Sequence, residues 1–234
     1  MLLSSTASQS HEQRTLVWAT AFAVGFGFVE AAVVVYLRKL YCPDHVLFPL
    51  KVALSSGVSG IELGREVATI VMLLAIAAVA GRNFLTRLAF FLYGFAIWDI
   101  FFYVWLKVLV DWPASFFTGD ILFLIPVAWA GPVLAPLLVC VPTIVLAILI
   151  LRHPDAGLRR NESILLILSA SAFFVSFVWD YAWLAFKFRG NSGRLMQAVD
   201  AYVPADYHWE LLILGEVLVF LAIVLFQRRT RVSQ

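Results

Sequence analysis

The sequence predicts an all-α, polytopic integral membrane protein with six transmembrane helices arranged as three hairpins, the fourth helix broken or kinked by prolines. Three observations carry that prediction. Of the 234 residues, 62% are apolar and 14% charged, whereas an ordinary soluble domain has about 45–50% and 25%. The 17 Lys+Arg and 15 Asp+Glu fall mostly between apolar blocks of about 20 residues, the length at which a helix crosses ~30 Å of hydrocarbon. The apolar runs are also continuous, as from Ile70 to Ala80, where a transmembrane barrel would alternate in strands of ~10 residues.

Residues 1 to 14 are polar and Ser-rich and are expected to form a disordered lead. The apolar run after them is too long for the core of a signal peptide and is read as the first span, about 16–36. The second and third spans, about 64–81 and 85–109, are divided by the charged breaker Gly81-Arg82-Asn83. The fourth, about 121–151, contains Pro126, Pro132, Pro136 and Pro142. Proline removes a backbone donor and clashes with the preceding turn, so a break is expected between Pro126 and Pro136. Arg152-His153-Pro154-Asp155 separates it from the fifth, about 163–186, and the sixth covers about 209–227. The connections 37–63 and 187–208 hold Gly, Pro, Ser and scattered charge, and neither has room for a soluble domain. The expected organisation is one six-helix domain over 15–228, followed by a basic tail over 229–234.

Cysteine and charge exclude several classes. Cys42 and Cys140 form neither a CxxC motif nor a Cys/His cluster, which argues against a disulfide framework or a thiolate metal site. A net charge of +2, with no basic run beyond Arg228, Arg229 and Arg231, is no nucleic-acid footprint. The expected partner is the lipid bilayer, and a homo-oligomer is compatible with the small size.

Orientation follows from Lys and Arg. With six spans, the side carrying both termini has nine basic residues against eight opposite. The nine lie close to span ends in short connections, where they weigh most in the insertion rule, so both termini are assigned to the cytoplasm. Most acids lie on the other side or within the spans, the exceptions being Glu12, Asp155 and Glu162. No buried acid is expected in the terminal-side half.

The chemistry-bearing residues are the acids inside the apolar spans. Glu30, Asp99 and Asp180 each lie in an outgoing span, seven or eight residues before Arg38, Lys107 and Lys187 respectively, which puts them at one depth. An ionised acid at the bilayer centre costs ~2.5–3.5 kcal/mol, so all three should face the bundle interior. The returning spans add Glu62, Glu66, Asp120, Glu210 and Glu216. The expectation is an outward-facing, carboxylate-rich cavity formed by Glu30, Glu66, Asp99, Asp180 and Glu216, with Arg38, Arg65 and His208 as counter-charges. The segments Val29-Glu30, Ile97-Trp98-Asp99 and Val178-Trp179-Asp180, each followed by aromatic and basic residues, suggest three variants of one hairpin plan.

Three readings of such a cavity stay open. The first is proton- or cation-linked transport of a small solute. The second is a membrane-embedded enzyme acting on a lipid or isoprenoid at the outer leaflet, with the acids as general acid and base. The third is an assembly or scaffold subunit in which the acids only hold helices together. Catalytic residues, metal and cofactor stay unassigned. There is no nucleophile elbow and no phosphate loop, and Gly25-x-Gly27 reads as a helix-packing pair. A single histidine among carboxylates, as in His208-Trp209-Glu210, would suit Mg²⁺, Mn²⁺ or Ca²⁺ better than zinc.

Overall fold

In a computed structural model the chain is described over residues 2–41, 58–204 and 206–232. Cys42 and most of the 37–63 connection lie outside the described residues. The helices are α1 (Leu2–Tyr41), α2 (Val58–Ala80), α3 (Phe84–Val110), α4 (Leu134–Arg152), α5 (Arg160–Lys187), α6 (Ser192–Ala201) and α7 (Trp209–Val232). Two short strands, β1 (Gly119–Phe123) and β2 (Trp129–Pro132), precede α4. Six of these helices are long and apolar enough to cross a membrane: α1 over Gln13–Leu40, α2 over Gly60–Ala80, α3, α4, α5, and α7 over Trp209–Arg231. They fit an integral membrane protein. The polar lead, expected to be disordered, continues α1 back to Leu2, and the basic tail is helical as far as Val232.

Local chemistry sets the helix ends. Gly81 closes α2, and a Cβ there would stand 2.4 Å from the Arg87 backbone nitrogen, so only glycine fits this turn. Asn83 then caps α3: its side chain accepts from Thr86 N at 2.9 Å, and Thr86 Oγ1 accepts from Asn83 N at 3.0 Å. This reciprocal box satisfies two donors that the first turn leaves open. At the other end Asp111 takes a left-handed conformation, φ 53°. Lys107, 2.6 Å away, holds its carboxyl below the usual carboxylate range.

The fourth span differs from expectation. The chain is mostly helical, as expected, but residues 119–132 form an antiparallel β-hairpin that pairs Gly119 with Pro132, Asp120 with Gly131 and Ile121 with Ala130, so the expected start of the fourth helix is corrected from about Ile121 to Leu134. Pro126 and Pro132 belong to this β-hairpin, whereas Pro142 lies inside α4. Prolines lack the donor that a helix interior needs but are tolerated at strand ends and turns.

The bundle packs α5 against α7, α1 against α3, and α3 against α4, with α2 on α3 and α4 touching α7. Contact between α1 and α2 is slight, and the contacts do not single out three hairpins. One core joins α3, α4 and α7 through Tyr93, Leu146, Ile150, Ile223 and Phe226. Another joins α1, α2 and α3 through Ala23, Phe26, Leu73 and Trp98. At Gly27 a Cβ would stand 3.0 Å from the Trp98 carbonyl oxygen, so α1 crosses α3 backbone to backbone, as small residues permit in lipid. The outer surface exposes Trp18, Val79, Ile167 and Phe220, side chains suited to a hydrocarbon solvent.

Candidate functional site

Glu30 on α1 is buried, accepts from Thr69 Oγ1 at 2.5 Å and is ion-paired with Arg65. Arg65 also grips Glu62 with two bonds, Nε to Oε2 at 3.0 Å and NH2 to Oε1 at 2.5 Å. Glu62, Arg65 and Thr69 lie three and four residues apart on α2, a spacing that stacks them on one helix face. One guanidinium therefore bridges carboxylates from two helices. That pairing matters because α1 and α2 share few other contacts.

Glu66, on the same helix, turns away to the β-hairpin. Both of its oxygens accept from Leu124 N at 2.9 Å. Leu124 follows β1, where the ladder no longer supplies an acceptor. A carboxylate carried on α2 thus satisfies backbone that lies outside both helix and sheet, a requirement wherever such backbone lies at membrane depth.

The β-hairpin is fixed on its other side by Asp120. Arg38 NH2 lies 3.3 Å from Asp120 Oδ1, Tyr103 donates its hydroxyl to Oδ2 at 3.1 Å, and the Arg38 guanidinium stacks 3.9 Å above the Trp112 ring. Burial pushes the Asp120 carboxyl above the usual range, while Arg38 pulls it back. Tyr103 sits four residues after Asp99 on α3, on the same face. Asp99 is buried, and its described hydrogen-bonding neighbour is the Cys140 thiol of α4, which donates to Oδ2 at 3.4 Å. Asp99 and Asp120 are near enough to interact electrostatically.

Asp180 belongs to a separate, more open cluster. His208 Nε2 lies 3.4 Å from Asp180 Oδ1, and Nδ1 lies 2.9 Å from Glu210 Oε1. Burial would lower the His208 pKa, but hydrogen bonds to Glu210 and Asp180 outweigh it and raise the value. Tyr202, packed edge-on to Tyr181, is pushed up by burial and by its hydrogen bond to Asp180. Glu216 stands apart: its Oε1 is enclosed and has no hydrogen-bond partner among the described residues.

The eight residues expected to converge are therefore distributed. Glu30 joins Arg65, Glu66 joins the β-hairpin, Arg38 joins Asp120, Asp99 joins Cys140, Asp180 joins His208, and Glu216 is alone. Glu30, Asp99 and Asp180 share no partner among the described residues. Nor do any three His, Cys, Asp or Glu side chains among the described residues group as a metal site. Sequence reading missed Thr69 and Tyr103, neutral polar residues inside apolar spans, and weighed Cys140 only for disulfide and metal roles, not as a neighbour of Asp99. The one available signal was the four-residue spacing of Thr69 from Arg65 and of Tyr103 from Asp99.

The terminal-side half also corrects an expectation. Glu162 is buried there, bound by Arg229 through two bonds of 3.0 Å and accepting from Arg159 N at 2.7 Å. Arg229 further donates to the Ala156 and Gly157 carbonyls at 2.8 Å. An acid at a helix N-terminus is favoured by the unsatisfied N–H groups there, which explains why a buried acid survives on this side. No protein family, characterised protein or solved structure matches the chain.

Proposed function

We propose that this protein carries a small solute across the membrane in exchange for, or together with, a proton, and that Asp99 is the residue that binds and releases that proton. One observation supports the reading. Asp99 lies about 16 Å from the C-terminal end of α3 at 1.5 Å per residue, enclosed in the bundle with a thiol as its hydrogen-bonding neighbour. Glu30 and Asp120 have arginine partners, and Glu66 has a backbone donor. A carboxyl so placed is costly to leave charged and uncompensated, and in membrane bundles such groups mark proton and ion pathways. The acids that do have partners act in this reading as fixed struts around it. Both termini lie on the cytoplasmic side, and Asp180 and His208 face outward.

The enzyme reading is weaker for a specific reason. The histidine best placed for acid–base work, His208, has both ring nitrogens facing carboxylates. The acids that this reading would use as general acid and base, Glu30, Asp99 and Asp180, share no partner among the described residues.

The test uses the full chain reconstituted in liposomes on a solid support. The liposomes are challenged with a proton gradient alone and with panels of amino acids, sugars and organic anions. Wild type is expected to give a solute-dependent current that scales with the gradient, and Asp99→Asn to abolish it while eluting as a folded species. An unchanged current in Asp99→Asn removes Asp99 from the mechanism. No current in wild type with any panel ends the transport reading.

A further inference from the structure

At the terminal-side face, α1, α3, α4 and α7 enclose a cavity of about 800 Å³ whose chemistry changes with depth. Its mouth carries Arg152, His153, Arg231 and the amide Gln13, with a second amide, Gln227, about one helical turn further in. Its walls are Leu16, Phe90 and Ile148. Gln13 follows the polar lead of α1, and Arg152 and Arg231 lie in the last turns of α4 and α7, so the charged groups sit together at one end of the bundle. Leu16 and Ile148 lie about one helical turn deeper, roughly 5–6 Å at 1.5 Å per residue. Polar mouth and apolar floor thus follow the axis along which a phospholipid changes from headgroup to chain.

The two arginines are available for a ligand. Neither Arg152 nor Arg231 makes an ion pair among the described residues, and no described residue lining the cavity is acidic. Arg229, by contrast, is spent on Glu162. The volume falls within the ~300–1,000 Å³ of small-molecule sites. A phosphate headgroup with the upper part of its chains fits that volume. Basic pockets between transmembrane helices near a cytoplasmic face are a recurrent way of holding anionic headgroups.

We infer that this cavity is a binding site for the headgroup of an anionic phospholipid, with Arg152 and Arg231 pairing a phosphate whose charge no choline-type cation offsets, while Leu16, Phe90 and Ile148 contact the chain. The site is independent of Asp99 and of any transport activity. A free phosphate ion would satisfy the arginines equally but would leave the apolar walls without a partner. The structure therefore favours the lipid.

The experiment is native mass spectrometry of the full chain in detergent, loaded with an equimolar mixture of phosphatidylglycerol and phosphatidylcholine of identical chains. Each basic residue near a membrane surface is worth about fivefold in affinity for anionic lipid, so wild type is expected to retain phosphatidylglycerol about thirtyfold over phosphatidylcholine. R152Q/R231Q is expected to abolish that preference, and R82Q/R228Q, the same charge change outside the cavity, to keep it. Equal retention of the two lipids by wild type, or an undiminished preference in R152Q/R231Q, overturns the proposal. Displacement of phosphatidylglycerol by millimolar inorganic phosphate without detergent-exchange losses assigns the site to the free ion and overturns it as well. If R152Q/R231Q fails to fold, the same ratio is read on R231Q, where about fivefold loss is expected and no loss is fatal.

Discussion

Arg65 shows how much one side chain carries here. It is the counter-charge for Glu30 and Glu62 together, and removing it strands a buried carboxylate on α1. Arg65→Met is expected to destabilise the protein by about 3–5 kcal/mol, the range for breaking a buried pair from one side. The double variant Glu30→Leu/Arg65→Met should recover much of that loss, because the more deeply buried of the two stranded carboxylates is gone and only the more accessible Glu62 is left unpaired. Thermal unfolding in detergent compares the two, and equal destabilisation would show that the pair does not carry the contact. His208 gives a pH-dependent counterpart. Its folded pKa lies above its unfolded value of 6.5, so the stability it contributes is complete below about pH 6.5 and is lost as pH rises through the folded value. Melting temperatures followed from pH 5.5 to 8.5 should converge for wild type and His208→Asn at the alkaline end and diverge at the acid end. Parallel curves would contradict the assignment.

At the scale of elements, the β-hairpin depends on a partner outside itself. Its strands pair over only a few residues, and an isolated two-stranded ribbon is marginal. Glu66, Asp120, Arg38 and Tyr103 anchor it to α2, α1 and α3. Glu66→Ala leaves Leu124 N without its acceptor and should cost about 1–3 kcal/mol, the penalty for an unsatisfied buried donor. Hydrogen exchange would show the effect as faster exchange at Leu124 and its neighbours, while α5 and α7 stay protected; uniform loss of protection would mean that the β-hairpin is not a separable unit. The β-hairpin also shows why sequence pattern misassigned the fourth span. Ile121, Leu122, Phe123 and Leu124 form a short apolar run, which periodicity alone cannot separate from a buried helix segment. The prolines of this stretch indicated an interruption, but not that the chain would pair with itself.

For the whole molecule, orientation is the testable consequence of the charge distribution. With Cys42 and Cys140 replaced, a single cysteine at Ser192, in α6, is expected to react with an impermeant reagent added outside intact cells. A cysteine at Arg159, at the start of α5, should react only after permeabilisation. The opposite pattern would place both termini outside and reverse the faces of the Asp180–His208 cluster and of the basic cavity.

Consecutive residues alone specified the six helices that, among the described residues, are long and apolar enough to cross a membrane. Apolar blocks of a span's length are a property of consecutive residues, and their hydrogen bonds close within the segment, so six helices followed without knowledge of any contact. The sequence also marked Glu30, Glu66, Asp99 and Asp180 as residues that could not be left facing lipid. Partner choice was decided only by the tertiary structure. Glu30 and Asp99 occupy matching places in their spans, yet one meets Arg65 and the other Cys140, because helix rotation and neighbour identity are set by packing such as the Gly27 approach to Trp98. The same applies to Arg152 and Arg231, 79 positions apart in the chain, which line one cavity because α4 and α7 end at the same face. Depth in the membrane is written along the chain, but the direction in which each side chain points is fixed only when the helices meet.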